Sequence, residues 1–133
     1  MFKIANENDA DKIVEIFSET KTPWSKESVL SSIIKDFVLM YEDKGVIVSS
    51  KVIDECEILN FAVEKENRGK GIGEKLIREF LNSEFTRGCR IFLDVRKSNL
   101  PAIALYEKIG FKRITERKNF YQNPSEDAII MEF

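Results

Sequence analysis

The sequence predicts one α/β domain built around a mixed sheet, and three features predict it. Strand-like and helix-like segments alternate in the order βααβββαβαββ, which calls for a sheet with helices on its faces. The segment Ile91-Phe92-Leu93-Asp94-Val95 is almost wholly apolar, as in a strand buried on both sides. No repeat, low-complexity tract or linker divides the 133 residues, a length that suits a single domain, residues 1–133, with one real core.

Each element has its own signal. Phe2 to Ala5 reads as a short strand. Asn8 or Asp9 is placed to cap a helix whose Ile13, Ile16 and Phe17 share one face. Thr22-Pro23-Trp24-Ser25 breaks it, and Ser25 caps a second helix carrying Val29, Leu30, Ile33 and Ile34. Phe37 to Glu42 and Val46 to Val52 read as a hairpin around Asp43-Lys44-Gly45, where Gly45 offers a positive φ. Glu57 to Val63 is a further strand, followed by a polar, glycine-containing loop. A helix follows with Ile72, Leu76, Ile77 and Phe80 on one face. After the strand Arg90 to Arg96, Ser98-Asn99-Leu100-Pro101 opens a helix with proline in its first turn. Ala102, Leu105, Tyr106 and Ile109 share a face of that helix, and Gly110 ends it. Phe111 to Arg117 and Ala128 to Phe133 read as the last two strands.

Composition removes several classes of function. With 21 basic against 23 acidic side chains the formal charge is −2, so nothing marks a nucleic-acid binder. No apolar run approaches membrane-spanning length and Met1-Phe2-Lys3-Ile4 does not read as a signal peptide, so a cytoplasmic protein with no membrane partner is expected. Cys56 and Cys89 form no CxxC and read as reduced thiols, a disulfide between them being the other reading. There is no histidine, which removes the commonest general base and the commonest metal ligand. No metal site is expected, and acid–base chemistry falls to carboxylates, Tyr, Lys or Cys.

Arg68-Gly69-Lys70-Gly71-Ile72-Gly73 lies between a strand and a helix. The first N–H groups of a helix lack internal partners and its dipole favours an anion there. Glycines let the backbone approach a pyrophosphate, and Arg68 and Lys70 add positive charge. Neither GxxxxGK(S/T) nor GxGxxG is present. The plain alternative is a flexible strand–helix turn.

Asp94 interrupts an apolar strand, where a carboxylate is costly unless paired; an ion pair with Arg96 on the same face is the structural reading. Tyr106 on an apolar helix face has an equally ordinary reading as core. Together they suit amide formation from a thioester: a carboxylate takes the amine's proton, directly or through water, and a phenol supplies one to the leaving thiolate. Backbone N–H groups of Phe61-Ala62-Val63 are candidates for stabilising the oxyanion.

Several stretches carry a family resemblance. Arg68-x-x-Gly71-x-Gly73 resembles the R/Q-x-x-G-x-G/A loop of GNAT acetyltransferases. Leu93-Asp94-Val95-Arg96-Lys97-Ser98-Asn99 resembles LEVRxSN, and Ala102 to Phe111 resembles AIALYExxGF. Arg117 to Tyr121 with Glu126 to Met131 is similar to RxNYY…EDAIIM, and Pro23-Trp24-Ser25 matches a PWS. These are the marks of the RimI family, the ribosomal-protein alanine N-acetyltransferases within GNAT, and they cover nearly the whole chain. The resemblance implies a GNAT (acyl-CoA N-acyltransferase) fold, a mixed and mostly antiparallel sheet flanked by helices, with acetyl-CoA as cosubstrate. It implies Asp94 as general base and Tyr106 as general acid. Phe61, Ala62, Val63, Arg68, Gly69, Lys70, Gly71, Ile72, Gly73, Asn99 and Tyr106 would contact coenzyme A, and Trp24, Asn60 and Tyr121 the substrate. The substrate it implies is a protein N-terminus, the N-terminal alanine of a small-subunit ribosomal protein, taken by a monomer or weak dimer. Asp94 stands where the family usually has Glu, one methylene longer, so a bridging water is expected. Thr22 and Gln122 also depart from the family, in loops that would line the peptide site. A small-molecule amine or a lysine as acceptor, or a non-catalytic acyl-CoA-binding module, are the competing readings.

Overall fold

In the computed structural model, which describes residues 1–133, the strands form one seven-stranded sheet in the order β1-β2-β3-β4-β5-β7-β6. The strands are β1 (Phe2–Ile4), β2 (Phe37–Tyr41), β3 (Gly45–Val52), β4 (Glu55–Val63), β5 (Arg90–Arg96), β6 (Lys112–Tyr121) and β7 (Glu126–Glu132). The helices are α1 (Ala10–Ser18), α2 (Lys26–Lys35), α3 (Ile72–Leu81) and α4 (Leu100–Ile109). Every predicted element is present. All neighbouring strands run antiparallel except β4 and β5, which α3 connects as a parallel crossover.

Side-chain alternation divides the core between two faces. Val38, Met40, Val46, Val48 and Ala62 meet Ile13, Ile16 and Phe17 of α1 and Val29 of α2. On the other face Leu39, Ile47, Cys56, Ile58, Leu93 and Met131 meet Leu76, Ile77 and Phe80 of α3 and Ile103 and Tyr106 of α4. Ser25 caps α2 by accepting from the Ser28 amide at 3.1 Å, as expected. The first cap differs: Asn6 accepts from the Asn8 amide at 2.8 Å and starts a short 3-10 turn ahead of α1. Ile34, expected on the buried face of α2, is 87% exposed, because the turn of the helix carries it past the face that Val29 buries.

Gly45 is needed for a different reason than its turn suggested. The positive φ falls on Glu42 (51°), and Gly45 is the first residue of β3. A Cβ there would stand 3.3 Å from Leu76 Cδ2, so Gly45 lets α3 lie close to the sheet.

Two irregularities open the sheet at its centre. In β4, Val48 pairs with Asn60 but Ser49 pairs with Ile58, so Leu59 is an extra residue, a β-bulge. One extra residue flips side-chain parity: Cys56 and Ile58 enter the α3–α4 core, while beyond the bulge Ala62 enters the opposite one. The pairing of β4 with β5 also stops at Ile58 and Leu93. Past that point the strands part and leave a wedge-shaped opening in the sheet.

Candidate active site

The wedge is the base of a cleft of about 1300 Å³. Its walls come from Glu57–Val63 of β4, the turn 67–73 apart from Lys70, Leu93–Arg96 of β5 and the first turns of α4, with Ser18–Thr22 and Phe120–Tyr121 at its mouth. Most of the residues singled out in the sequence converge here from distant parts of the chain.

One end is a backbone cradle. Gly71 is the N-cap of α3 at φ 80°, with no side chain capping the helix, so the first N–H groups of α3 are left free. Gly69 is also left-handed, at φ 78°, and a Cβ on either glycine would meet nothing within 4 Å. The space in front of these amides is therefore open to a ligand, and the glycines are required by backbone conformation. Gly73 differs: its Cβ would lie 3.1 Å from Phe61 Cζ, so the bare backbone there lets α3 press against β4. Arg68 lines the cleft, but its Nε donates to the Val63 carbonyl at 3.0 Å. Lys70 does not line it; its Nζ donates to Asn67 Oδ1 at 3.4 Å.

The open edge of β4 carries alternating backbone groups. Ala62 pairs with Val46, and the Glu64 amide donates to Lys44, so even-numbered residues here turn their backbone to β3. Phe61 and Val63 therefore turn theirs to the wedge. Of the expected Phe61-Ala62-Val63 donors, Ala62 is thus spent on the sheet. The Phe61 amide donates to Asn60 Oδ1 at 2.9 Å, and Asn60 Nδ2 donates to the Thr22 carbonyl at 3.1 Å. Asn60 thereby ties the bulge to the loop at the mouth.

At the centre Asp94 points out of β5, half-buried, from the face opposite Leu93 and Val95. The structural reading of Asp94 as an ion-pair partner of Arg96 does not hold: Arg96 bonds to Glu126 and to the turn after β6. Burial raises the Asp94 carboxyl above its ordinary range, with the Arg117 charge pulling the other way. Tyr106 is buried from α4, and burial, then Tyr121, holds its phenol well above 10. Tyr121 is pushed up to about 12, first by burial and next by Asp94, with Arg96 opposing. Tyr121 thus feels Asp94, and Tyr106 feels Tyr121. Both phenols keep their protons at neutral pH and are donors, while Asp94 is a stronger proton acceptor than a free aspartate.

The remaining residues separate. Asn99 lines the cleft and caps α4, its Oδ1 accepting from the Ala102 amide at 3.3 Å. Trp24 is outside the cleft; its ring packs 5.4 Å from Phe17 in the α1–α2 core, where an apolar ring gains more than at a polar mouth. Sequence reasoning missed Glu57 and Glu126, and it gave Arg96 a different partner. Glu57 stands at the rim on the face that carries Asp94, its carboxyl raised by burial and by Asp94. Its alternation with Cys56 and Ile58 was a usable signal; the contacts of Arg96 and Glu126 are not written locally.

Comparison with known proteins agrees with this architecture. The acetyltransferase (GNAT) family profile matches residues 10–111. The ribosomal protein bS18-alanine N-acetyltransferase of Haemophilus ducreyi is 32% identical, covering 98% of this chain and 97% of that protein. The Escherichia coli K12 protein of that name is 35% identical, covering 82% of this chain and 79% of its own. The crystal structure of the ribosomal-protein-S18-alanine N-acetyltransferase from Escherichia coli superimposes with a TM-score of 0.87 at 29% identity, covering all of this chain and 92% of that one. A wedge between parallel β4 and β5, a glycine cradle at the start of α3 and this match over most of its length lead to one conclusion: the chain belongs to the GNAT family of acetyltransferases.

Proposed function

We propose that this enzyme transfers the acetyl group of acetyl-CoA to the α-amino group of a protein N-terminus, its target being the N-terminal alanine of ribosomal protein bS18. The observation that carries the reading is that Asp94, Tyr106 and Tyr121 all line the cleft that opens where β4 and β5 part. The names of the relatives that match most of the chain support the same target.

The residues present fit acetyl-CoA. The free amides of α3, opened by Gly69 and Gly71, suit a pyrophosphate, and Arg68 stands beside them. The backbone of Phe61 and Val63 offers a strand edge along the wedge. When bound, acetyl-CoA supplies the acetyl group as a thioester. Asp94 accepts the proton that the substrate ammonium must lose, directly or through one water, and burial makes it a better base for this. Tyr106, protonated at neutral pH, donates toward the leaving sulfur. Asn60 holds the Phe61 amide in place at the wedge, and release of that amide from Oδ1 frees a donor for the developing oxyanion. The mouth, between Ser18–Thr22 and Phe120–Tyr121, suits a chain end better than an internal lysine, whose backbone extends both ways. A terminal amine, with pKa ~8 against ~10.4 for lysine, is also more often the free base.

The test is release of coenzyme A thiol with an alanine-terminal bS18 peptide and with the same peptide blocked at its terminus. Turnover on the free peptide alone is expected. Turnover on polyamines but not on peptide, or tight acetyl-CoA binding with no turnover, would replace this reading with one of its competitors.

A further inference from the structure

The β6–β7 hairpin, which puts Tyr121 at the cleft, is only partly held by its own ladder toward its tip. Pairing shifts once between Arg113 and Thr115 and again after Arg117 and Ala128, resuming only at Tyr121 and Glu126, with Asn119 at φ 52° in between. Such a bulge leaves the end of the hairpin without the ladder bonds that would fix it. Within the hairpin Asp127 accepts from the Asn119 amide at 2.8 Å, and from another strand Arg96 bonds to the tip. Arg96, 7% exposed, donates Nη1 to the Pro124 carbonyl at 3.0 Å and Nη2 to the Gln122 carbonyl at 3.1 Å. Nη1 also reaches Glu126 Oε1 at 3.2 Å, and the guanidinium lies 4.5 Å over the Tyr121 ring. The other Glu126 oxygen accepts from the Ser98 amide at 2.7 Å, just ahead of α4 and therefore of Tyr106.

We propose that Arg96 is the positioning residue of the peptide side of the cleft: it fixes Tyr121 and the hairpin relative to Asp94, two positions earlier on β5, and through Glu126 relative to α4. The chemistry suits the part. A planar guanidinium meets two carbonyls, a carboxylate and a ring at once, which an ammonium does not. Burying it is costly unless it is paired, and Glu126 pairs it. This role rests on the proposed function only in that the hairpin is read as a wall of the peptide site.

The experiment combines kinetics with hydrogen exchange on Arg96→Met, Arg96→Lys and the wild type. For Arg96→Met, kcat/KM for an alanine-terminal peptide should fall by about tenfold to a hundredfold, the cost of a misplaced wall, with acetyl-CoA affinity unchanged. Amides of residues 118–126 should exchange faster while those of α3 do not. Arg96→Lys should recover part of both effects, keeping charge but not the planar fork. If Arg96→Met does not fold, Glu126→Gln carries the test, with smaller changes in the same direction. Native exchange across the hairpin in folded Arg96→Met, or peptide and acetyl-CoA affinities lost in equal proportion, would overturn the assignment. A wild-type enzyme inactive on every peptide terminus would remove the functional reading instead, and the exchange data would still judge what Arg96 holds.

Discussion

Gly73 and Phe61 touch where α3 meets β4: a Cβ on the glycine would lie 3.1 Å from Phe61 Cζ. Gly71, two residues earlier, has open space in front of it and a φ of 80°. The two glycines should therefore fail differently. Gly73→Val overpacks the junction and should destabilise by about 1–3 kcal/mol. Gly71→Ala should cost about 1 kcal/mol for its left-handed backbone and lose acetyl-CoA affinity in a folded protein. Thermal melts and calorimetry separate the pair; equal affinity in Gly71→Ala and wild type would remove the cradle.

Tyr106→Phe deletes one hydroxyl from a buried ring whose packing against Phe61 and Phe111 remains. Turnover should fall about a hundredfold or more if the phenol is the acid, with acetyl-CoA affinity held. Asp94→Asn should lower turnover most on the acid side, where the amine is protonated. Wild-type turnover in both variants, with chemistry rate-limiting, would make the two residues structural.

Asp94 also has a signature in stability. Its carboxyl is raised in the folded protein, so folding costs nothing extra below the ordinary carboxylate range, where both states are protonated. The cost grows as pH rises from the ordinary carboxylate value to the raised folded one, and is fully present above it. Asp94→Asn should then melt at or above the wild-type temperature at pH 7, with the advantage vanishing near pH ~3. Glu57, raised by burial and by Asp94, should show an effect of the same sign, and Glu57→Gln should move the acid limb of kcat/KM to lower pH. Asp94→Asn melting well below wild type at pH 7 would mean that the carboxylate is stabilised by a partner.

Trp24→Ala should cost about 2 kcal/mol, because the indole packs on Phe17 and is only partly buried. The peptide KM of the folded variant should hold. A large rise in KM without a loss of stability would return Trp24 to the peptide site.

What was legible in the sequence was what is locally encoded. Apolar periodicity located α3 around Leu76, Ile77 and Phe80, and the strand–glycine–helix order located the cradle. Asp94 and Tyr106 stood out because a carboxylate in an apolar strand and a phenol on an apolar face are both locally anomalous. What was hidden depends on contacts between distant segments. The bulge at Leu59, which decides that Phe61 rather than Ala62 turns to the wedge, is a matter of register with β3. Trp24 sits in a loop whose sequence does not say which way the ring turns. Arg96 stands two residues from Asp94 on the strand, but its partners lie 26 to 30 residues away.

Whether the acceptor is an α-amine is decided by locating the acetyl group on a peptide that offers a choice. A bS18 peptide carrying both its terminal alanine and an internal lysine is incubated with the enzyme and acetyl-CoA, then sequenced by mass spectrometry. Acetyl is expected on the alanine α-nitrogen, with the lysine unmodified until the terminus is consumed. Acetyl on the lysine while the alanine stays free would contradict N-terminal transfer.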